Sequence, residues 1–410
     1  MKRLLIGVAM GLLAVCVSCN KAEWEARKNP YRSLNLTTKS AGFVSAGNAS
    51  FTFDFIDRVN AAAETRFIVS PLSLQILLGM ALDGAQGETA AQICQVLGYG
   101  VGETDAVNAY ALELLRQLPS LDKRTKLLIG NALFADQGFP LLDTYQRNLK
   151  QYYLAEVENL DFSDGPGTLK RINGWCSDHT GKMIPKVLDR VDPSVVAYLL
   201  NAMYFKSQWK EKFEKKSTGE EDFYPEGDSD DVSIIPMMKQ VKKFDYIEND
   251  VFQAVRLPYG NGAFSMFVLL PRSGHTVSEI TSALKGMDWD TFRHQMQRHE
   301  VDLWLPKFET KYHIDLKKML SAMGMPDTFD PVLADFGAMA SPSPYVSAVT
   351  QDAIIKVDEE GTEAAVVSKM HFAKTSDAGC PSAVFHANHP FLYLIAETYT
   401  GAVLFAGRYN

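Results

Sequence analysis

The sequence predicts a single α+β domain over residues 49–410, preceded by an export signal and a tether. Three observations carry that reading. Segments such as Ser50 to Ala63 place Phe51, Phe55 and Val59 on one face at helical spacing. Near-continuous apolar runs, Val195 to Phe205 and Phe391 to Ala396, suit strands buried on both faces. Hydrophobic residues make up 46% of the 410-residue chain, and no second linker or internal repeat divides it. The formal charge of −8 gives no reason to expect nucleic acid as a partner.

The elements follow in order. Met1-Lys2-Arg3 and the short apolar run from Leu4 to Val15 read as a signal peptide over residues 1–18, too short to span a membrane comfortably. Cys19 follows the small Ser18 and resembles the acylated first residue of a bacterial lipoprotein, although Cys16 stands where leucine is usual. An ordinary signal peptide with an incidental cysteine is the alternative. Residues 19–48 are polar and rich in Ser, Thr, Gly and Ala, which suits a lipid-anchored tether rather than a core. Beyond them only Cys94, Cys176 and Cys380 remain, an odd trio that makes no disulfide framework.

Ser50 caps the first helix, and Arg66 to Leu74 runs from a strand into a second helix with Pro71 in its first turn. Gly84 to Thr89 ends that helix and starts another. A strand from Leu127 to Phe134 precedes a helix near Leu141 to Tyr152, and a further helix is expected from Thr168 to Thr180. After the apolar run that closes at Phe205, the chain reaches Ala353 to Val357, a β-branched strand. Some thirty residues without helical period then separate it from the strand Phe391 to Ala396. A loop of that length in a compact domain is functional or disordered. Thr362, Ala364, Val366, Ser368, Met370 and Phe372 share one face at a period of two, and the charges of Glu363, Lys369 and His371 lie on the other. That is the pattern of a strand with one buried face, written where an exposed loop is expected; a plain edge strand has the same pattern.

The stretch Glu359-Glu360-Gly361-Thr362-Glu363-Ala364-Ala365 resembles the reactive-loop hinge of the serpins. Other family-like pieces follow in the family's order. They include Ile172-Asn173-Trp175, Thr180-Gly181-Lys182, Asn201 to Lys206 with Trp209 and Phe213, and Pro236-Met237-Met238. Leu257-Pro258-Tyr259, Leu305-Pro306-Lys307-Phe308, Asp315-Leu316 and Leu404 to Arg408 complete the series, so the resemblance spans roughly residues 50 to 410. It implies an α+β serpin fold with three β-sheets, about nine helices and a long exposed reactive loop. The implied activity is suicide inhibition of serine proteases: the loop is cut, and its upstream half inserts into the main sheet as a new strand.

The resemblance also implies roles. The hinge comprises Glu359, Glu360, Gly361, Thr362, Glu363, Ala364, Ala365, Val366, Val367 and Ser368, with Gly361 to about Ala373 inserting. Trp209, Lys307 and Glu359 match the place where the loop first enters, Lys307 and Glu359 pairing while the sheet is closed. Ser70, Ser73 and Asn201 match a polar cluster where the sheet opens, and Gln351 stands where histidine is frequent. Glutamine does not titrate near neutral pH, so opening is not expected to follow a histidine ionisation there. The family's spacing counted from Gly361 puts the reactive bond at Thr375-Ser376, but the loop is a few residues longer downstream, and Lys374, the one strong specificity determinant nearby, favours Lys374-Thr375. Lys374 suits a trypsin-like pocket, and the small residues around it suit elastase-like enzymes.

No enzyme constellation is present. Ser70 and Ser73 lack a nucleophile elbow, and His386 and His389 have no third ligand at a recognisable spacing. No cofactor or metal is expected, and the protein is read as a monomer. A non-inhibitory serpin acting as a binding protein is the first rival. The proline-free hinge with small Thr362, Ala364 and Ala365 speaks against it. A secreted hydrolase, which would need a triad the sequence does not show, is the second, and inhibition of cysteine proteases is a further alternative.

Overall fold

The computed structural model describes residues 28–43, 49–192, 194–225, 232–362 and 382–410. The signal peptide, Cys19, Cys380, the hinge from Glu363 to Ser368 and the reactive-bond residues Lys374, Thr375 and Ser376 lie outside these residues. No described helix is long and apolar enough to cross a membrane.

Strands are numbered along the chain. β1 is Phe67–Val69, β2 Lys126–Asp136, β3 Glu156–Leu160, β4 Ala197–Gln208, β5 Gly219–Phe223, β6 Ser233–Glu248, β7 Phe252–Pro258 and β8 Phe264–Pro271. β9 is Gln297–Pro306, β10 Phe308–Asp315, β11 Thr350–Asp358, β12 Gly361–Thr362, β13 Ala383–His386, β14 Phe391–Glu397 and β15 Val403–Tyr409. Six of them form the main sheet, in the order β10-β11-β12-β4-β2-β3. The other nine follow the path β1-β15-β14-β8-β7-β6-β9-β13, with β5 on β6. Long β6 joins two strand groups in this second sheet: Asp245 to Glu248 pair with β7, and Met237 to Tyr246 pair with β9. With the main sheet these make the three groups expected, accompanied by ten α-helices among the described residues.

Local chemistry explains the framing elements. Ser70 leaves β1 in an extended conformation and caps the helix Pro71–Gly84, its side chain accepting from the Ser73 N–H. The proline takes a first-turn position where no N–H is needed. The helix Gly165–His179 lies across the main sheet, burying Ile172, Trp175 and Cys176 against Ala132, Phe134 and Ala202. Asn173 holds the chain that follows this helix: its Oδ1 accepts from Val187 and Leu188 N–H (2.8 and 3.0 Å), and its Nδ2 donates to the Leu188 carbonyl (2.9 Å).

Two expectations are corrected. The run closing at Phe205 forms β4, but Ala197 to Asn201 are only half-buried rather than buried on both faces. The reason is the neighbour: below Ser207, no described strand pairs with β4 on the side facing β11. The expected tether of residues 19–48 is also not solvated throughout. Leu34 and Phe43 are buried, and the Phe43 ring packs on Tyr99 (4.8 Å) and Tyr110 (5.8 Å). Asn35 and Gln117 exchange two hydrogen bonds (2.8 and 3.0 Å). The average composition of the stretch is polar, and it hides two side chains that find the core.

Candidate functional site

The site is a slot at one end of the main sheet. β12 is two residues long and lies between β11 and β4, with Thr362 opposite Val357 and Ser207, and Gly361 opposite Asp358 and Gln208. A Cβ on Gly361 would collide with the Ser207 carbonyl, and its φ of +155° suits glycine. Asp358 shapes the turn into the slot, its Oδ1 accepting from the Glu360 and Gly361 N–H (2.9 and 3.3 Å). Trp209 and Phe213 N–H donate to the carbonyls of Glu360 and Glu359 (2.9 and 3.1 Å). The Trp209 indole N–H donates to the Asp358 carbonyl (2.8 Å), and its ring stacks on Tyr259 at 4.4 Å.

Glu359 is 5% exposed and anchored twice: Lys307 Nζ lies 3.1 Å from Oε2, and Thr218 Oγ1 donates to Oε1 (3.0 Å). Burial raises its pKa, but its own N–H, Lys307 and Thr218 together outweigh burial and hold the carboxyl below the usual glutamate range. Glu360 pairs with Lys212.

Thr362 departs from expectation. Its face was expected near solvent in the uncleaved protein, yet the residue is 2% exposed and its hydroxyl is 2.6 Å from the Tyr259 hydroxyl. Burial pushes the Tyr259 phenol well above its ordinary pKa. The stretch expected to insert from Gly361 therefore has Gly361 and Thr362 in place already.

Below the slot, β4 and β11 have no ladder joining them directly among the described residues. A cleft of about 80 Å³ marks this seam, bordered by Leu200, Asn201, Met203, Gln351 and Ala353, with Trp175 and Cys176 of the crossing helix among its walls. Burial and the nearby Asp352 push the Cys176 thiol up to about 12. Ser70, Ser73, Asn201 and Gln351 meet here. Gln351 clasps the Ser70 backbone, Oε1 accepting its N–H (2.8 Å) and Nε2 donating to its carbonyl (2.9 Å). Ser70 Oγ donates to the Leu404 carbonyl (2.6 Å), and Ser73 Oγ donates to Asn201 Oδ1. Asn201 Nδ2 donates to Asn131 Oδ1 (2.6 Å), whose own amide donates to the Tyr153 carbonyl (2.7 Å).

The structure thus brings Trp209, Lys307 and Glu359 into one place and the four cluster residues into another. It adds Tyr259, Thr218, Lys212 and Ser207 at the slot and Asn131 at the cluster. An asparagine between Ile129 and Phe134 was the available signal, since a polar residue in an apolar strand asks for a buried partner. Tyr259 carried no such signal, because a tyrosine is ordinary in a core. Among the described residues no group of three or more His, Cys, Asp and Glu could hold a metal. His386 Nε2 lies 2.9 Å from Asp302 and its ring stacks on Trp304. His389 contacts the Pro271 carbonyl through Nε2 (3.0 Å).

A main sheet whose β4 and β11 share no ladder below Ser207 among the described residues, headed by two residues of a long connection, defines the class of fold. The comparisons give that class its family. A family model described as Serpin (serine protease inhibitor) matches residues 46–410. Human Serpin B3 is 32% identical over 389 residues, covering 90% of this chain and 99% of its own. The bovine plasma serine protease inhibitor is 32% identical over 368 residues, covering 88% and 89%. The thermophilic serpin Tengpin in its native state superposes with a TM-score of 0.80 at 27% identity, covering 93% of this chain and 96% of that one. The chain belongs to the serpins, a family of protease inhibitors rather than enzymes.

Proposed function

We propose that the protein traps serine proteases covalently, by cleavage of its reactive loop and insertion of the upstream half into the seam. The observation that supports this reading is the position of Gly361 and Thr362 between β11 and β4, at the head of two strand edges with no ladder between them among the described residues. A target's serine attacks the bond at Lys374-Thr375, or at Thr375-Ser376, and forms an acyl-enzyme. The freed segment from Glu363 to about Ala373 then adds as a strand, carrying the protease with it before water completes hydrolysis. Lys374 selects trypsin-like enzymes, and elastase-like enzymes use a neighbouring register. We place the protein as a monomer exported and held by lipid on Cys19 at a bacterial cell surface or periplasmic face.

Incubation with trypsin and with elastase, followed by a denaturing gel and mass spectrometry, tests the mechanism. A complex that survives denaturation, with a released fragment starting at Thr375 or Ser376, is expected. Cleavage without any complex would overturn the trapping. Cys19→Ser is expected to give soluble protein without lipid mass; wild-type protein cleaved elsewhere and free of lipid would overturn the anchor.

A further inference from the structure

The docked part of the N-terminal segment meets the hinge slot through one buried residue. Asp122 precedes β2 and is 1% exposed. Its Oδ1 accepts from Asn29 Nδ2 (2.6 Å) and from the Arg124 N–H (2.9 Å). Its Oδ2 accepts from Thr125 Oγ1 (2.8 Å) and from the Asn261 N–H (3.2 Å). Thr125 Oγ1 lies 2.6 Å from Ser207 Oγ. The Thr125 hydroxyl has a single proton, which it gives to Asp122, so Ser207 donates to Thr125. Ser207 is the residue of β4 that pairs with Thr362.

The second wall of the slot returns to the same carboxyl. Tyr259 holds the Thr362 hydroxyl, and Gly260 N–H donates to the Gln208 carbonyl (2.8 Å). Asn261, next in the turn between β7 and β8, then donates its N–H to Asp122. Asn29 spans both walls: its Oδ1 accepts from the Lys123 N–H (3.0 Å) and from Asn261 Nδ2 (3.4 Å). Asn261 Nδ2 also donates to the Pro30 carbonyl (3.0 Å).

We propose that docking of the N-terminal segment and seating of the hinge are coupled through Asp122, so that the segment is a clamp on the resting state. β4 borders the seam and β2 pairs with its far edge, whereas the β7–β8 turn belongs to the other sheet. Widening the seam displaces β4 from that turn, and Asn29 crosses the joint between them. An undocked segment removes the Asn29 bond from Asp122 Oδ1, which keeps the Arg124 N–H, and leaves the half-buried Asn261 Nδ2 with the Leu121 carbonyl alone (2.8 Å), so the bridge between the two walls of the slot is lost. Release of the segment therefore eases unseating of the hinge and widening of the seam. The effect on protease trapping rests on the function proposed above; the coupling itself does not.

Hydrogen exchange of the full-length, uncleaved protein, without any protease, tests the coupling. Asn29→Ala is expected to raise exchange about fivefold or more in peptides covering Gly361–Thr362 and Tyr204–Gln208, the lower end of ordinary coupling between sites. Lys39→Ala, on the same segment but facing Glu103, is expected to leave those peptides unchanged. Coupling is reciprocal, so Thr362→Val is expected to raise exchange by a similar factor around Asn29 to Leu34. Where Asn29→Ala leaves the segment protected, Leu34→Asp removes its buried anchor and the same peptides are read. A segment that exchanges freely while the slot stays protected, or an effect that runs one way only, would overturn the proposal.

Discussion

Thr362 and Gly361 carry most of the specificity of the resting slot, and each makes a distinct prediction. Thr362→Val keeps the β-branched shape but leaves the Tyr259 hydroxyl buried without its partner, a loss of about 1–3 kcal/mol. Chemical denaturation of the uncleaved protein is expected to register it, whereas a threonine side chain in solvent would register almost nothing. Thr362→Arg places a guanidinium against Tyr259 and is expected to unseat β12 before any protease acts. It should melt earlier than wild type and also trap less protease. Normal melting with reduced trapping would mean the side chain is exposed at rest. Gly361→Ala drives a methyl group into the Ser207 carbonyl and is expected to unseat the same two residues without any new charge. The period-two pattern told which face of this stretch turns inward but not when it does so. Burial at rest depends on where Tyr259 sits, some hundred residues earlier in the chain, and nothing local to Thr362 encodes that.

The turn between β11 and β12 has its own pH dependence. Glu359 has a folded pKa below its ordinary value of 4.5. Its contribution is fully present above that value and is lost as pH falls through the lower, folded value. Glu359→Gln removes this dependence. The stability gap between wild type and Glu359→Gln is therefore expected to be largest near pH 6 and to shrink below pH 4.5. A gap that stays constant down to pH 3 would show that Lys307 and Thr218 do not recognise the charged form. The grouping of Glu359, Lys307 and Trp209 was legible because each sits in a family-like motif. Lys212, Thr218 and Tyr259 were not, since a lysine in a charged run or a tyrosine in a core looks the same whether or not a hinge rests against it. The misjudged tether has a similar cause: its polar average was correct, but docking is decided by Leu34 and Phe43 individually.

For the whole molecule, β4 and β11 share no ladder below Ser207 among the described residues, and the proposed insertion would supply one. In the mechanism proposed above, a strand added between them forms a ladder on both sides, and moving Met370 and Phe372 from water to full burial would contribute roughly 1.5–3 kcal/mol each. A single verified cut near Lys374 is expected to raise the melting temperature; an unchanged value would argue for a loop that stays outside. The crossing helix Gly165–His179 would have to accommodate such a strand, with Trp175 and Cys176 on the cleft wall. The resting position of Gly361 and Thr362 has a further consequence for time rather than stability. Joining two ends of a long loop is the entropic cost of starting a ladder, and here the first pairs exist before the cut. In the proposed mechanism, insertion then begins as propagation from a nucleus already formed. On that reading, changes at Gly361 and Thr362 are expected to shift the resting state, and changes further down, at Asn201 and Gln351 on the cleft wall, the speed of capture.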